Sequence, residues 1–88
     1  MKRNTNYVLR TIGKKDFLVA IGPQVKKMNG IVMLSSTGSF IWSLLSHDQQ
    51  MEDIAEAITK KFDVDFDEAL EDAKTFLCEL ERLDSVDL

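Results

Sequence analysis

Eighty-eight residues, 44% of them hydrophobic and 30% charged, describe one small globular domain over residues 1–88 and exclude a disordered tail. No apolar run approaches the roughly 20 residues that cross a bilayer, and no apolar segment of signal-peptide length follows the basic start Met1–Asn6, so the expected location is the cytoplasm. The net charge of −4 is unevenly divided, with seven Lys or Arg against one acid in residues 1–47 and four against fourteen in residues 48–88, and the acidic half would repel a phosphate backbone while attracting a basic partner.

Tyr7–Ile12, with Val8, Leu9 and Ile12 around Arg10 and Thr11, has the composition of a strand and ends at the turn signal Gly13-Lys14-Lys15-Asp16. Phe17–Ile21 is the second expected strand, closed by Gly22-Pro23 because proline cannot donate to a ladder. Gln24–Asn29 connects it, with Lys26 and Lys27 exposed, to a third strand at 31–34. Three short strands with short loops make an antiparallel meander, and a meander leaves a strand at its edge.

The stretch Met28–Leu45 organises the chain, because this third strand runs straight into a helix through Ser35-Ser36-Thr37-Gly38. Ser35 or Ser36 can cap that helix by accepting from its first-turn N–H groups. Phe40, Ile41, Leu44 and Leu45 recur at helical spacing, with Trp42 beside them. A polar break at Ser46-His47-Asp48 precedes a second amphipathic helix marked by Met51, Ile54, Ala55, Ile58 and Phe62, its end carrying Lys60 and Lys61 beside the negative dipole pole. Asp65 with Glu68 resembles a capping box and starts a third helix, lined by Ala69, Ala73, Phe76, Leu80 and Leu83, flanked by Leu70 and Leu77, with Cys78 on the opposite side. The expected elements are strands near 7–12, 17–21 and 31–34 and helices near 36–45, 50–61 and 66–83. Phe40, Ile41, Trp42, Ile54, Ile58, Phe76, Leu77 and Leu80 are expected to be largely buried.

Residue chemistry offers no catalytic set and no metal site. His47 is the one histidine and has no neighbouring cysteine or second histidine. Cys78 stands beside the acids Glu79 and Glu81, with no base beside it to make it a nucleophile, and as the one cysteine it allows no internal disulfide. The carboxylates sit on polar helix faces with no apolar pocket to separate their pKa values, and the four glycines are dispersed, so no phosphate-cradling loop exists. No catalytic residue, metal ligand or cofactor is expected. An apolar edge strand beside an amphipathic helix can accept an added peptide strand. The alternative is that residues 31–34 are core and their edge is covered.

Val8-Leu9-Arg10, Phe17-Leu18-Val19, Ile21-Gly22, Met28-Asn29-Gly30-Ile31 and Leu34-Ser35-Ser36-Thr37-Gly38-Ser39-Phe40-Ile41-Trp42 together resemble the PqqD family of peptide-modification chaperones. The similarity continues through Ile54-Ala55, Phe62-Asp63-Val64-Asp65, Asp72-Ala73, Phe76-Leu77 and Leu80, and the Leu-x-x-Thr-Gly-x-x-Ile-Trp segment is its most specific part. The resemblance implies an α+β, winged-helix-like domain, a three-stranded antiparallel sheet followed by three helices, also called a RiPP recognition element. It implies a non-catalytic protein that binds the leader segment of a ribosomally made precursor peptide by strand addition. The leader is then presented to a modifying enzyme, typically a radical SAM enzyme. The residues it marks are Ile31, Val32, Met33 and Leu34 on the strand and Ala69, Asp72, Ala73 and Phe76 on the third helix. The implied partners are the leader and the enzyme, with a homodimer compatible and neither nucleic acid nor membrane. Ser35 stands where the family often has asparagine, which keeps the cap chemistry, and Asp84 where a glycine is usual. The rival reading is a winged-helix DNA-binding regulator, whose third helix would have to be basic, yet residues 65–84 hold only Lys74 and Arg82 among many acids.

Overall fold

The computed structural model describes residues 1–21, 31–83 and 85–87. The expected strand end at Gly22-Pro23, the connection carrying Lys26 and Lys27, and Asp84 lie outside the described residues. The elements are β1 (Lys2–Arg3), β2 (Tyr7–Ile12), β3 (Lys15–Ala20), β4 (Ile31–Leu34), α1 (Ser36–Leu44), α2 (Met51–Phe62), α3 (Phe66–Arg82) and β5 (Val86–Asp87). The sheet β2-β3-β4 is antiparallel throughout, as the meander predicts.

β3 starts two residues before the apolar run and stops at Ala20 rather than Ile21. Ile12 pairs with Lys15 across a two-residue loop in which Gly13 has φ 64, a conformation the tight hairpin turns assign to glycine. That tight turn places Lys15 and Asp16 directly opposite Ile12 and Thr11, so main-chain pairing carries the strand through two polar residues. Side chains then alternate between faces. Leu18, Ala20 and Leu34 are buried against the helices, whereas Ile31 and Met33 on β4 stand on the other face, each 61% exposed.

α1 and α3 start at capping residues. Ser35 Oγ accepts from Gly38 N–H at 3.1 Å, and Asp65 Oδ1 accepts from Glu68 N–H at 2.8 Å. α2 ends at Asp63, a left-handed residue at φ 54 whose N–H bonds Thr59 O. Ile41 and Trp42 from α1 with Leu45 at its C-terminal cap, Ile54, Ala55 and Ile58 from α2, and Ala69, Ala73, Leu77 and Leu80 from α3 close one core with the sheet. Phe40 and Phe76, expected to be buried, are only partly so. Phe40 lies at the core margin, edge-on to Phe62 with ring centroids 5.7 Å apart, and Phe76 borders a groove described below.

Sequence periodicity has no signal for β1 and β5, which pair antiparallel through Lys2↔Asp87 and Arg3↔Val86. Two-residue strands carry no pattern to read. Beyond α3, Ser85 is fully buried and its hydroxyl donates to Leu80 O at 2.9 Å.

Asp16 ties the hairpin together. Thr11 Oγ1 donates to its Oδ1 at 2.6 Å, and this bond, with a second from Ser39, holds the Asp16 carboxyl below its ordinary pKa of 3.8. A depressed folded-state pKa gives stability that is present above the unfolded value and lost as pH falls through the folded one. Asp16→Asn should therefore flatten the acid limb of the stability profile below pH 3.8, as urea midpoints measured across the acid range will show. An unchanged limb would remove Asp16 from the account.

Candidate functional site

In the sheet order β2-β3-β4 the third strand of the meander is at an edge, with no described strand on its other side. Its register, Val19↔Ile31 to Asp16↔Leu34, uses one side of β4 for β3. The alternate main-chain groups face outward, ready to pair with an added strand.

α3 runs beside this edge and encloses one cavity with it and a second, adjoining cavity with Ser35 and the first turn of α1. One, of about 290 Å³, is lined by Val32, Met33, Leu34, Ser35, Phe76, Glu79, Leu80 and Leu83 and is largely apolar. The other, of about 350 Å³, adds Thr37, Gly38, Asp72 and Thr75 to Ser35, Phe76 and Glu79. They share three residues, so they form one groove with an apolar end at Leu83 and, toward Asp72, an end to which Thr37, Thr75 and Asp72 add polar groups.

Among the residues expected at the site, the structure brings together Val32, Met33, Leu34, Asp72 and Phe76. Ile31 lines neither cavity, and its side chain stands on the open sheet face. Ala69 and Ala73 need correction: both are fully buried in the core and present no side chain to the groove. The stripe of α3 that packs inward is Ala69, Ala73, Leu77 and Leu80. The stripe that borders the groove is Asp72, Phe76, Glu79 and Leu83, at i, i+4, i+7 and i+11. Thr75, Glu79, Leu80 and Leu83 were not among the expected site residues. Asp72 and Phe76 were, and the helical spacing from them would have reached Glu79 and Leu83.

Gly38 explains why a Thr-Gly pair sits at the start of α1. A Cβ there would meet Phe76 Cε1 at 2.9 Å and Ser35 Oγ at 3.4 Å. The glycine thus lets the Phe76 ring approach the first turn of α1, where Phe76 lines both cavities. Alanine at this position would gain up to about 1 kcal/mol in helix propensity, yet it must push the ring out, and the groove is the open side. Gly38→Ala should keep the circular dichroism of the parent while shifting the Phe76 ring resonances. Unchanged ring resonances would show that the contact is relieved elsewhere.

The comparisons with known proteins join this geometry to a family. The family model described as Coenzyme PQQ synthesis protein D (PqqD) matches residues 18–86, from β3 to the start of β5. The chain belongs to the PqqD family. Among solved structures, this PqqD-family chain is similar to the one described as TbiB1 in complex with the TbiA(beta) leader peptide. The two are 27% identical with a TM-score of 0.76, over 99% of this chain and 95% of that one. No curated protein matches. Among the described residues, no helix is long and apolar enough to cross a membrane.

Proposed function

We propose that this PqqD-family protein binds the leader segment of a ribosomally synthesised precursor peptide and presents it to a modifying enzyme, a radical SAM maturase in the first instance. It performs no chemistry of its own. The leader adds as a strand to the outer edge of β4, with Val32, Met33 and Leu34 beneath it and Asp72, Phe76, Glu79 and Leu83 of α3 as the opposite wall. Main-chain bonds to an edge strand supply affinity without regard to sequence, and the alternate side chains entering the two cavities supply selectivity. The protein works in the cytoplasm, where its precursor is made.

The observation that carries this reading is the open edge of β4 facing a groove walled by α3. The similarity to a protein solved with a leader peptide supports it. A duplex-binding regulator would need a basic third helix, whereas α3 holds six acids against Lys74 and Arg82.

Titration of the cognate leader, followed by backbone NMR, should move β4 and α3 resonances together. Movement of another surface in place of these two would refute the groove assignment. Binding of duplex DNA at moderate salt, with no leader binding, would refute the function itself. Gly38→Ala, by displacing Phe76 into the groove, should weaken the same leader by about tenfold, or ~1.4 kcal/mol.

A further inference from the structure

We propose that the segment this groove takes carries a lysine or arginine two residues away from an apolar side chain. The cation lies between Asp72 and Glu79, and the apolar group fills the pocket of Val32, Leu80 and Leu83. This rests on the leader-binding reading above and adds to it the chemistry of the bound segment.

Length comes first. From Asp72 to Leu83 the groove-facing flank of α3 spans eleven residues, about 16 Å at 1.5 Å per residue. An extended peptide covers that length with about five residues at 3.3 Å each. Alternate side chains of such a peptide face α3, so neighbouring cavities receive side chains two residues apart. The two cavities share Ser35, Phe76 and Glu79 and are therefore neighbours in this sense.

Their chemistry differs. Val32, Leu34, Leu80 and Leu83 make one end suitable for an apolar group. The other end has the hydroxyls of Thr37 and Thr75 and the carboxylates of Asp72 and Glu79. The first turn of α1 also borders this cavity, and the helix dipole brings about half a positive charge there. Two carboxylates outweigh it. A leader cation therefore gains, and a leader acid at the same place is repelled.

Arg82 is the competitor for Glu79, with its Nη2 2.5 Å from Glu79 Oε2. Both side chains are more than half exposed. Pairs of that kind contribute little, and a carboxylate has a second oxygen to offer. Arg82 can share or release Glu79 when a better-placed cation arrives.

The test is to pan displayed random peptides of about 12 residues, longer than the groove needs, on the full chain and on its Asp72→Asn/Glu79→Gln variant, with folding checked by circular dichroism. Peptides selected on the parent should share an apolar position with Lys or Arg two residues away. Those selected on the variant should keep the apolar position and lose the basic one. For one selected peptide, replacing its cation by methionine should weaken binding to the parent about fivefold in fluorescence anisotropy and leave binding to the variant unchanged. An apolar position without a basic companion on the parent, or the same basic preference on the variant, overturns the proposal while leaving the groove intact. If no peptide is selected, or β4 and α3 resonances ignore the selected peptides, the leader-binding reading falls with it.

Discussion

Trp42→Ala should remove about 3–5 kcal/mol of stability, the cost of truncating a large core aromatic that leaves a cavity. Trp42 is 2% exposed and packs within the cluster that joins α1 to the sheet and the other two helices. Arg3 adds to its environment, with the guanidinium carbon 5.7 Å from the indole centroid and Nη1 donating to the Trp42 carbonyl at 3.2 Å. The main-chain bond survives truncation, so the loss is one of packing and of the cation–ring contact. Small domains hold only about 5–15 kcal/mol in total, so the variant should be partly unfolded or close to it at ambient temperature. Trp42 is the only tryptophan, which means that the comparison has to be made by circular dichroism in urea. Phe66→Ala is the control, because Phe66 is 43% exposed and surface truncations usually change stability by about 0.5 kcal/mol or less. A Trp42→Ala loss no larger than that of the control would place the ring outside the core.

Elements with strong local signals were legible before the structure. The cap at Asp65 is read from residue type, and that of α1 is narrowed to Ser35 or Ser36, of which the structure uses Ser35. What was lost were features that depend on pairing or on rotation. Lys15 and Asp16 are polar, and only the two-residue turn puts them in the ladder. Lys2-Arg3 and Val86-Asp87 have no periodicity, and only the folded chain brings them together. The rotation of α3 is the instructive case. Ala69-Ala73-Phe76-Leu80 and Ala69-Ala73-Leu77-Leu80 are equally good helical stripes. The space opposite Gly38 accepts the Phe76 ring on the groove side, and Leu77 turns to the core. That choice is made by packing between helices; Ala69 and Ala73 lie in the core, and Asp72, Phe76, Glu79 and Leu83 border the groove.

Proline placed at Val32 and, separately, at Met33 should give two opposite defects. In an antiparallel strand the N–H and C=O of one residue face one neighbour and those of the next residue face the other. β4 has β3 on one side and the open edge on the other, so one of these two N–H groups serves the ladder and the other the incoming leader. Proline removes the N–H and adds a ring in its place, and sheets accept it only where the N–H points away from the neighbouring strand. The preceding residue is already extended in either case, so the restriction it meets costs little. One variant should therefore lose the β3–β4 pairing and unfold at markedly lower urea. The other should keep its circular dichroism and midpoint yet bind the leader at least about tenfold more weakly, ~1.4 kcal/mol, because a main-chain bond is gone and the ring holds the added strand away. The assignment of which variant does which follows from the measurement and gives the register of the open edge. Two folded variants that both bind like the parent would show that the leader does not use the edge of β4.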